Sequence, residues 1–250
     1  MMSLAQFWLM AAQLLVLVTS QDVGRFAYYS KDFNMSYSVF EEQSVAISFT
    51  VDGKPSFADG LYRLQGSFVS HLYVVDFRNT YEGVTWWYRN INRLFPGSNF
   101  RYGYLFYLFY KTADSFVVNF RERGILLTRV GLDLIPGLYV YTYPAAPYFK
   151  VVHDIYYDGH VLMQVGCDGG SISYGAFKFN RQDGPYLHYN VDPVEQGDLN
   201  KFLDDFKKSC PSLDLKKNVD LSRVTFATGE TVIIAIAGTR QLLRRSKLFS

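Results

Sequence analysis

The chain has 250 residues, 25 Lys and Arg against 23 Asp and Glu, and a formal charge of +2. So even a balance gives no lean toward nucleic acid or an anionic membrane surface. With 20 Tyr and 21 Phe but only two cysteines, the composition suits half-buried pleated sheet and limits internal crosslinking to one disulfide.

At the amino terminus no charged side chain precedes Asp22, and residues 4–18 are almost wholly apolar. Val18-Thr19-Ser20 then supplies small residues for cleavage. A run this short falls below the roughly 20 apolar residues of a membrane span, so residues 1–20 read as a secretory signal peptide rather than an anchor or a buried helix. The expectation is a secreted, extracellular protein without a transmembrane span. In that oxidising setting Cys167 and Cys210 are expected to pair, closing a loop worth about 3–4 kcal/mol in the chain-entropy view. Asn34-Met35-Ser36 is the glycosylation sequon, placing a candidate glycan on Asn34.

Further along, residues 43–51 and 72–77 look like strands separated by turn residues such as Asp52-Gly53. They form an N-terminal β-rich extension over residues 21–79. From residue 100 the pattern tightens. Residues 100–110, 116–121, 125–130, 138–143, 149–157, 161–167 and 172–179 all read as strands. The run at 86–90 brings the count to eight, which suits an up-and-down barrel or a sandwich. Asp158-Gly159 between two apolar runs is a strong hairpin signal.

One helix is expected after the strands. Asp192 is its candidate cap, Pro193 its first residue and Glu195 its capping-box partner. Leu199, Phe202, Leu203 and Phe206 follow at helical spacing, and Cys210-Pro211 ends it. Its apolar stripe is expected to lie on the outer wall of the sheet, where Cys167 meets Cys210.

Eight strands followed by a helix resemble the lipocalins. Gly83-Val84-Thr85-Trp86-Trp87-Tyr88, followed by Arg93 and Pro96, resembles the first family motif, and Phe177-Lys178-Phe179-Asn180-Arg181 resembles the eighth strand with its terminal Arg. Residues 149–154 running into 161–167 are similar to the sixth and seventh strands. The resemblance implies an all-β fold: an eight-stranded antiparallel barrel with one C-terminal amphipathic helix over residues 80–227. It implies a floor formed by Gly83, Trp86, Trp87 and Arg181, the Arg stacking on a Trp. Residues 228–250 are then a basic tail. A rival register starts the barrel at Gly24-Arg25-Phe26, with Phe26 in the Trp position and the early strands inside the barrel.

Such a barrel implies a carrier of a small hydrophobic ligand of the lipid, sterol or retinoid class. Strand parity points Tyr102, Tyr104, Phe106, Leu108 and Tyr110 inward, with Phe116, Val118 and Phe120 facing them, as a ligand pocket or as a packed core. His71, His153, His160 and His188 form no metal-binding spacing, and no nucleophile elbow occurs. No catalytic site, metal or cofactor is expected. The rival function is a secreted structural β-protein that meets a receptor or matrix component, with Arg240, Arg244, Arg245 and Lys247 as a solvated cluster or a contact for anionic glycans.

Overall fold

A computed structural model describes residues 23–67, 71–144, 148–168, 170–194 and 197–246; the expected signal peptide and Lys247 lie outside them. The strands close into two eight-stranded antiparallel barrels rather than one. The first comprises β1 (Gly24–Tyr29), β2 (Asn34–Val39), β3 (Ser44–Thr50), β4 (Phe57–Ser67), β5 (Leu72–Asp76), β6 (Tyr107–Thr112), β7 (Ser115–Phe120) and β8 (Arg123–Val130). The second comprises β9 (Gly137–Thr142), β10 (Phe149–Ile155), β11 (His160–Cys167), β12 (Ser173–Gln182), β13 (His188–Pro193), β14 (Arg223–Phe226), β15 (Thr231–Ile236) and β16 (Thr239–Arg245). Helix α1 (Val84–Leu94) stands between β5 and β6, and helix α2 (Leu199–Ser209) between β13 and β14. Five strands, an 11-residue helix and three strands therefore occur twice in the same order.

Both barrels are meanders whose last strand returns to the first, through Arg25↔Val130 in one and Arg244↔Val140 in the other. Closure leaves no free sheet edge for another chain to pair with. Alternation explains the strands: Val45, Ile47 and Phe49 of β3 are buried, and so are Phe116, Val118 and Phe120 of β7.

The expected domain boundaries are corrected accordingly. Residues 21–79 are no extension; they supply β1–β5, so the barrel begins at Gly24 as in the rival register. The segment 80–227 is divided at residue 130, and what was read as a tail from residue 228 carries β15 and β16. Val232, Ile234 and Ile236 of β15 are core residues, which is why that stretch cannot be left in solvent.

Three local expectations also change. The run at 86–90 is helical, because Val84, Trp87, Ile91 and Leu94 fall on one face, the last three buried. The expected strand 100–110 starts only at Tyr107; residues 102–106 form turns, with Gly103 and Leu105 at positive φ. Asp192 and Pro193 end β13, and the helix is capped instead by Asp198, whose carboxylate accepts from Asn200 N (2.8 Å) and Lys201 N (3.2 Å).

Neither helix lies on an outer wall. Phe206 of α2 meets Phe149 at 6.2 Å and Phe202 meets Phe177 at 5.5 Å, and both of those rings point into the barrel. Helix α2 thus covers the mouth of the second barrel. Gly175 has no side chain where Phe202 enters; a Cβ there would come within 3.0 Å of that ring. The disulfide Cys167–Cys210, with Cα atoms 5.6 Å apart, ties the end of β11 to the end of α2.

The linker 131–136 crosses the opposite end, the floor, of the second barrel. Leu132 N donates to Phe226 O (2.9 Å), Leu134 N to Tyr189 Oη (2.8 Å), and Tyr139 Oη to Ile135 O (3.0 Å). The floor of the first barrel rests against the second through Val23, Ala227, Ile233 and Leu242. Among the described residues no helix is long and apolar enough to cross a membrane.

Candidate functional site

The floors of the two barrels share one device. Gly24 opens β1 at φ 130° and Gly137 opens β9 at φ 148°, a region that favours glycine. An arginine from the last strand lies against each glycine, where a Cβ would collide with the guanidinium. Arg129 donates to Val23 O (2.6 Å), and Arg245 to Pro136 O (2.9 Å), in each case the residue before the glycine. Two residues on come Phe26 and Tyr139, both fully buried. Arg129 stacks over Phe26 at 4.6 Å.

The expected floor of Gly83, Trp86, Trp87 and Arg181 is not assembled. Gly83 precedes α1, and Trp86 and Trp87 belong to that helix of the first barrel. Arg181 is on β12 of the second barrel, exposed and paired with Asp133 and Asp183. The helical period of residues 84–94 separates the Trp pair from any strand-borne arginine. Trp86 lies under Arg89 at 5.1 Å. Trp87 is fully buried, and its Nε1 donates to Asp59 Oδ2 at 2.8 Å, an oxygen that also accepts from Tyr62 Oη at 2.7 Å. Burial and this bond to Asp59 push the Tyr62 hydroxyl up to about 12.

Inside the first barrel, Phe116, Val118 and Phe120 point inward and are buried. Phe116 meets Phe26 at 4.9 Å, Tyr110 at 5.1 Å and Tyr37 at 5.6 Å; Phe120 meets Phe33 at 5.2 Å and Phe49 at 5.8 Å. These are core contacts at ordinary ring distances; one group runs from the floor at Phe26 through Phe116 and Tyr37 to Trp87 of α1, and Phe33, Phe49, Phe95 and Phe120 form a second. Tyr104 and Phe106 are buried at the mouth, where the Tyr104 hydroxyl accepts from Glu122 N (3.0 Å). Tyr102 lies outside, 85% exposed, because the turns at 102–106 break the expected strand parity.

The second barrel is lined differently. Rings gather near the floor, with Phe226 at 5.5 Å from Tyr189 and 6.1 Å from Tyr139, and at the mouth, where Tyr143 stacks on Phe149 at 5.0 Å. The wall between carries Val151, Met163, Val165, Val232 and Ile234, all buried. Among them is His153, which faces inward between its cross-strand neighbours Tyr139 and Met163. It is fully buried, and among the described residues neither ring nitrogen has a hydrogen-bond partner. Burial holds its pKa down at about 3, so the imidazole is neutral at any physiological pH. The alternation of Phe149, Val151, His153 and Ile155 against Lys150 and Asp154 is the sequence signal that assigns it to the interior.

Where the barrels meet, Asp114 accepts from Arg129 Nε (2.6 Å), from Tyr186 Oη (3.0 Å) and from Arg240. Arg240 thus belongs to the interface rather than to a solvated basic cluster. Burial alone would raise the Asp114 carboxyl, but Arg240 and Arg129 outweigh it and hold it below its usual range. Glu41 accepts from Thr228 (2.8 Å) and Thr231 across the same interface; these bonds likewise overcome burial and lower its pKa.

On the outer wall of the second barrel, a groove of about 480 Å³ is lined by Tyr148, Lys150, Val152, Gln164 and Ile172. Asn34, the sequon residue, begins β2 half-buried, its Oδ1 accepting from Ser30 N at 3.4 Å. Among the described residues no group of three His, Cys, Asp or Glu is placed to hold a metal. No protein-family model and no curated protein matches the chain.

Proposed function

We propose that the protein is an extracellular, lipocalin-like binding protein whose second barrel carries one small hydrophobic ligand. The carrying observation is the interior of that barrel: a lidded apolar wall interrupted by a buried imidazole without a partner. Ligand sites combine apolar lining with a few polar groups in this way. The paired glycine and arginine at each floor, with an aromatic two residues on, supports the lipocalin-like reading. The disulfide supports an oxidising compartment. The first barrel, filled by its own rings, serves as scaffold, and the protein's activity is binding rather than catalysis.

The test is extraction of the protein purified from a secreting cell, with mass spectrometry of the extract and native mass spectrometry of the intact protein. One apolar molecule per chain is the expected result. Protein that yields no such molecule, and takes up none from a panel of fatty acids, sterols and retinoids, refutes the proposal.

A second reading rests on the outer wall of the same barrel, where Tyr148, Leu162, Ile172 and Tyr174 are 46–67% exposed. Clustered exposed apolar groups mark contact surfaces. They favour a receptor or matrix component as a partner, with or without a ligand inside.

A further inference from the structure

We propose that His153 is the polar anchor of the ligand site in the second barrel, and that the ligand is an uncharged, largely apolar molecule bearing a hydroxyl group. The inference rests on the carrier reading and adds the chemistry of what is carried. A buried polar group without a hydrogen bond is destabilising, and nearly all such groups in folded proteins find partners. His153 has none among the described residues, although its strand could hold a leucine at that position with no loss of alternation. Its neighbours offer no alternative: Val151 and Ile155 flank it on β10, Met163 stands across on β11, and the Tyr139 hydroxyl across on β9 is already donating to Ile135 O.

The charge of the surroundings selects the ligand. Among the described residues, no buried residue pointing into the second barrel is Lys or Arg. Arg245, at the floor, is exposed and bonded to Pro136 O. Asp220, the buried carboxylate on this half of the chain, accepts from Lys216 N (2.7 Å) and Gly238 N (3.1 Å) outside the barrel wall. A carboxylate or ammonium ligand would therefore enter a low-dielectric interior without a counter-charge. A neutral imidazole presents one N–H donor and one bare nitrogen. A hydroxyl satisfies either one, donating to the bare nitrogen or accepting from the N–H, while the remainder of the molecule meets Val151, Met163, Val165 and Ile234.

The experiment measures binding of octan-1-ol, 1-fluorooctane and octanoate to the full-length protein and to its H153L and H153Q variants by calorimetry. It also follows the ¹⁵N signals of the His153 ring. Octan-1-ol is expected to bind the wild type about tenfold more tightly than H153L, the equivalent of one hydrogen bond. H153Q should recover part of that difference, and 1-fluorooctane should bind all three alike. Octanoate should bind the wild type more weakly than the alcohol, and the ring signals should shift with octan-1-ol alone. Equal alcohol affinity for wild type and H153L overturns the anchor while leaving the carrier reading standing, provided 1-fluorooctane still binds. Preference for octanoate overturns the hydroxyl assignment. If none of the three binds and the purified protein also extracts empty, the carrier reading itself fails.

Discussion

Replacing Arg129 by Ala probes how the first barrel is closed and joined to the second. The side chain is 1% exposed and donates to Val23 O, Ala113 O (2.9 Å) and Asp114, while its plane covers Phe26. Truncation strands two carbonyls and leaves Asp114 to Arg240 and Tyr186 alone. Removing one partner from a buried, hydrogen-bonded charge pair costs about 3–5 kcal/mol. The matching change in the second barrel, R245A, deletes an exposed side chain with one hydrogen bond to Pro136 O, and about 1 kcal/mol is expected. The contrast is measurable because Trp86 and Trp87, the tryptophans among the described residues, both sit in α1. Their fluorescence reports the first barrel. With an m-value of about 2 kcal/mol/M in urea, R129A should lower that midpoint by about 2 M. R245A should leave the tryptophan transition in place and shift only the far-ultraviolet dichroism slightly. An R129A midpoint within 0.5 M of the wild type, on the order of 1 kcal/mol at this m-value, would show that the buried guanidinium does not hold the floor.

Other outcomes follow from the same geometry. D59A leaves the Trp87 indole N–H buried without its acceptor, and should destabilise the first barrel by about 1–3 kcal/mol with a shift in tryptophan emission. The double variant C167A/C210A should lose about 3–4 kcal/mol in the second barrel; an undisturbed tryptophan transition beside it would confirm that the crosslink acts on that barrel only. Acid should act on His153 in a defined window. Its pKa falls from 6.5 when unfolded to about 3 when folded, so below pH 6.5 the unfolded chain takes up a proton that the folded chain refuses. Stability is then complete above pH 6.5 and declines by about 1.4 kcal/mol per pH unit toward pH 3. H153L should lack this decline; equal wild-type urea midpoints at pH 7 and pH 5 would refute the assignment. Asp114 and Glu41 are lowered, so the stability they lend to the interface is present above the ordinary carboxylate range and lost as pH falls through their folded values. Separation of the two barrels, followed by small-angle scattering, should begin below about pH 4.

The strands were legible where alternation and turns coincide, as in the hairpin of Asp158-Gly159, where Tyr156 N bonds to His160 O at 2.9 Å. The disulfide was legible from cysteine count and compartment alone. The duplication was not, because the residues that recur at matching positions are few and far apart: Gly24 and Gly137, and Arg129 and Arg245, with Phe26 matched by Tyr139. Between those anchors each barrel fills its interior independently, and core positions tolerate exchange of ring for aliphatic when volume is kept. The helix α1 was misread because Trp, Tyr and Val favour strands as residue types, while their 3.6-residue spacing was the stronger signal. The expected pocket residues failed at Tyr102 for a related reason, since Gly103 breaks the strand whose parity pointed it inward.

The contrast between the halves argues for a division of labour. In the first barrel ring contacts run from Phe26 through Phe116 and Tyr37 to Trp87, with Phe33, Phe49, Phe95 and Phe120 as a second group, and α1 seals the mouth with Trp87 fixed by Asp59. Opening that mouth would expose a buried indole and break a bond inside a packed core. In the second barrel the lid is α2, held by Phe202, Leu203 and Phe206 and tethered through Cys210 to β11. The other end of α2 begins at Asp198, whose carboxylate caps it by accepting from Asn200 N and Lys201 N. Under the carrier proposal a ligand would reach His153 by displacing Phe202, Leu203 and Phe206, which are themselves buried in the second core, whereas the first interior is closed by Trp87 and its bond to Asp59.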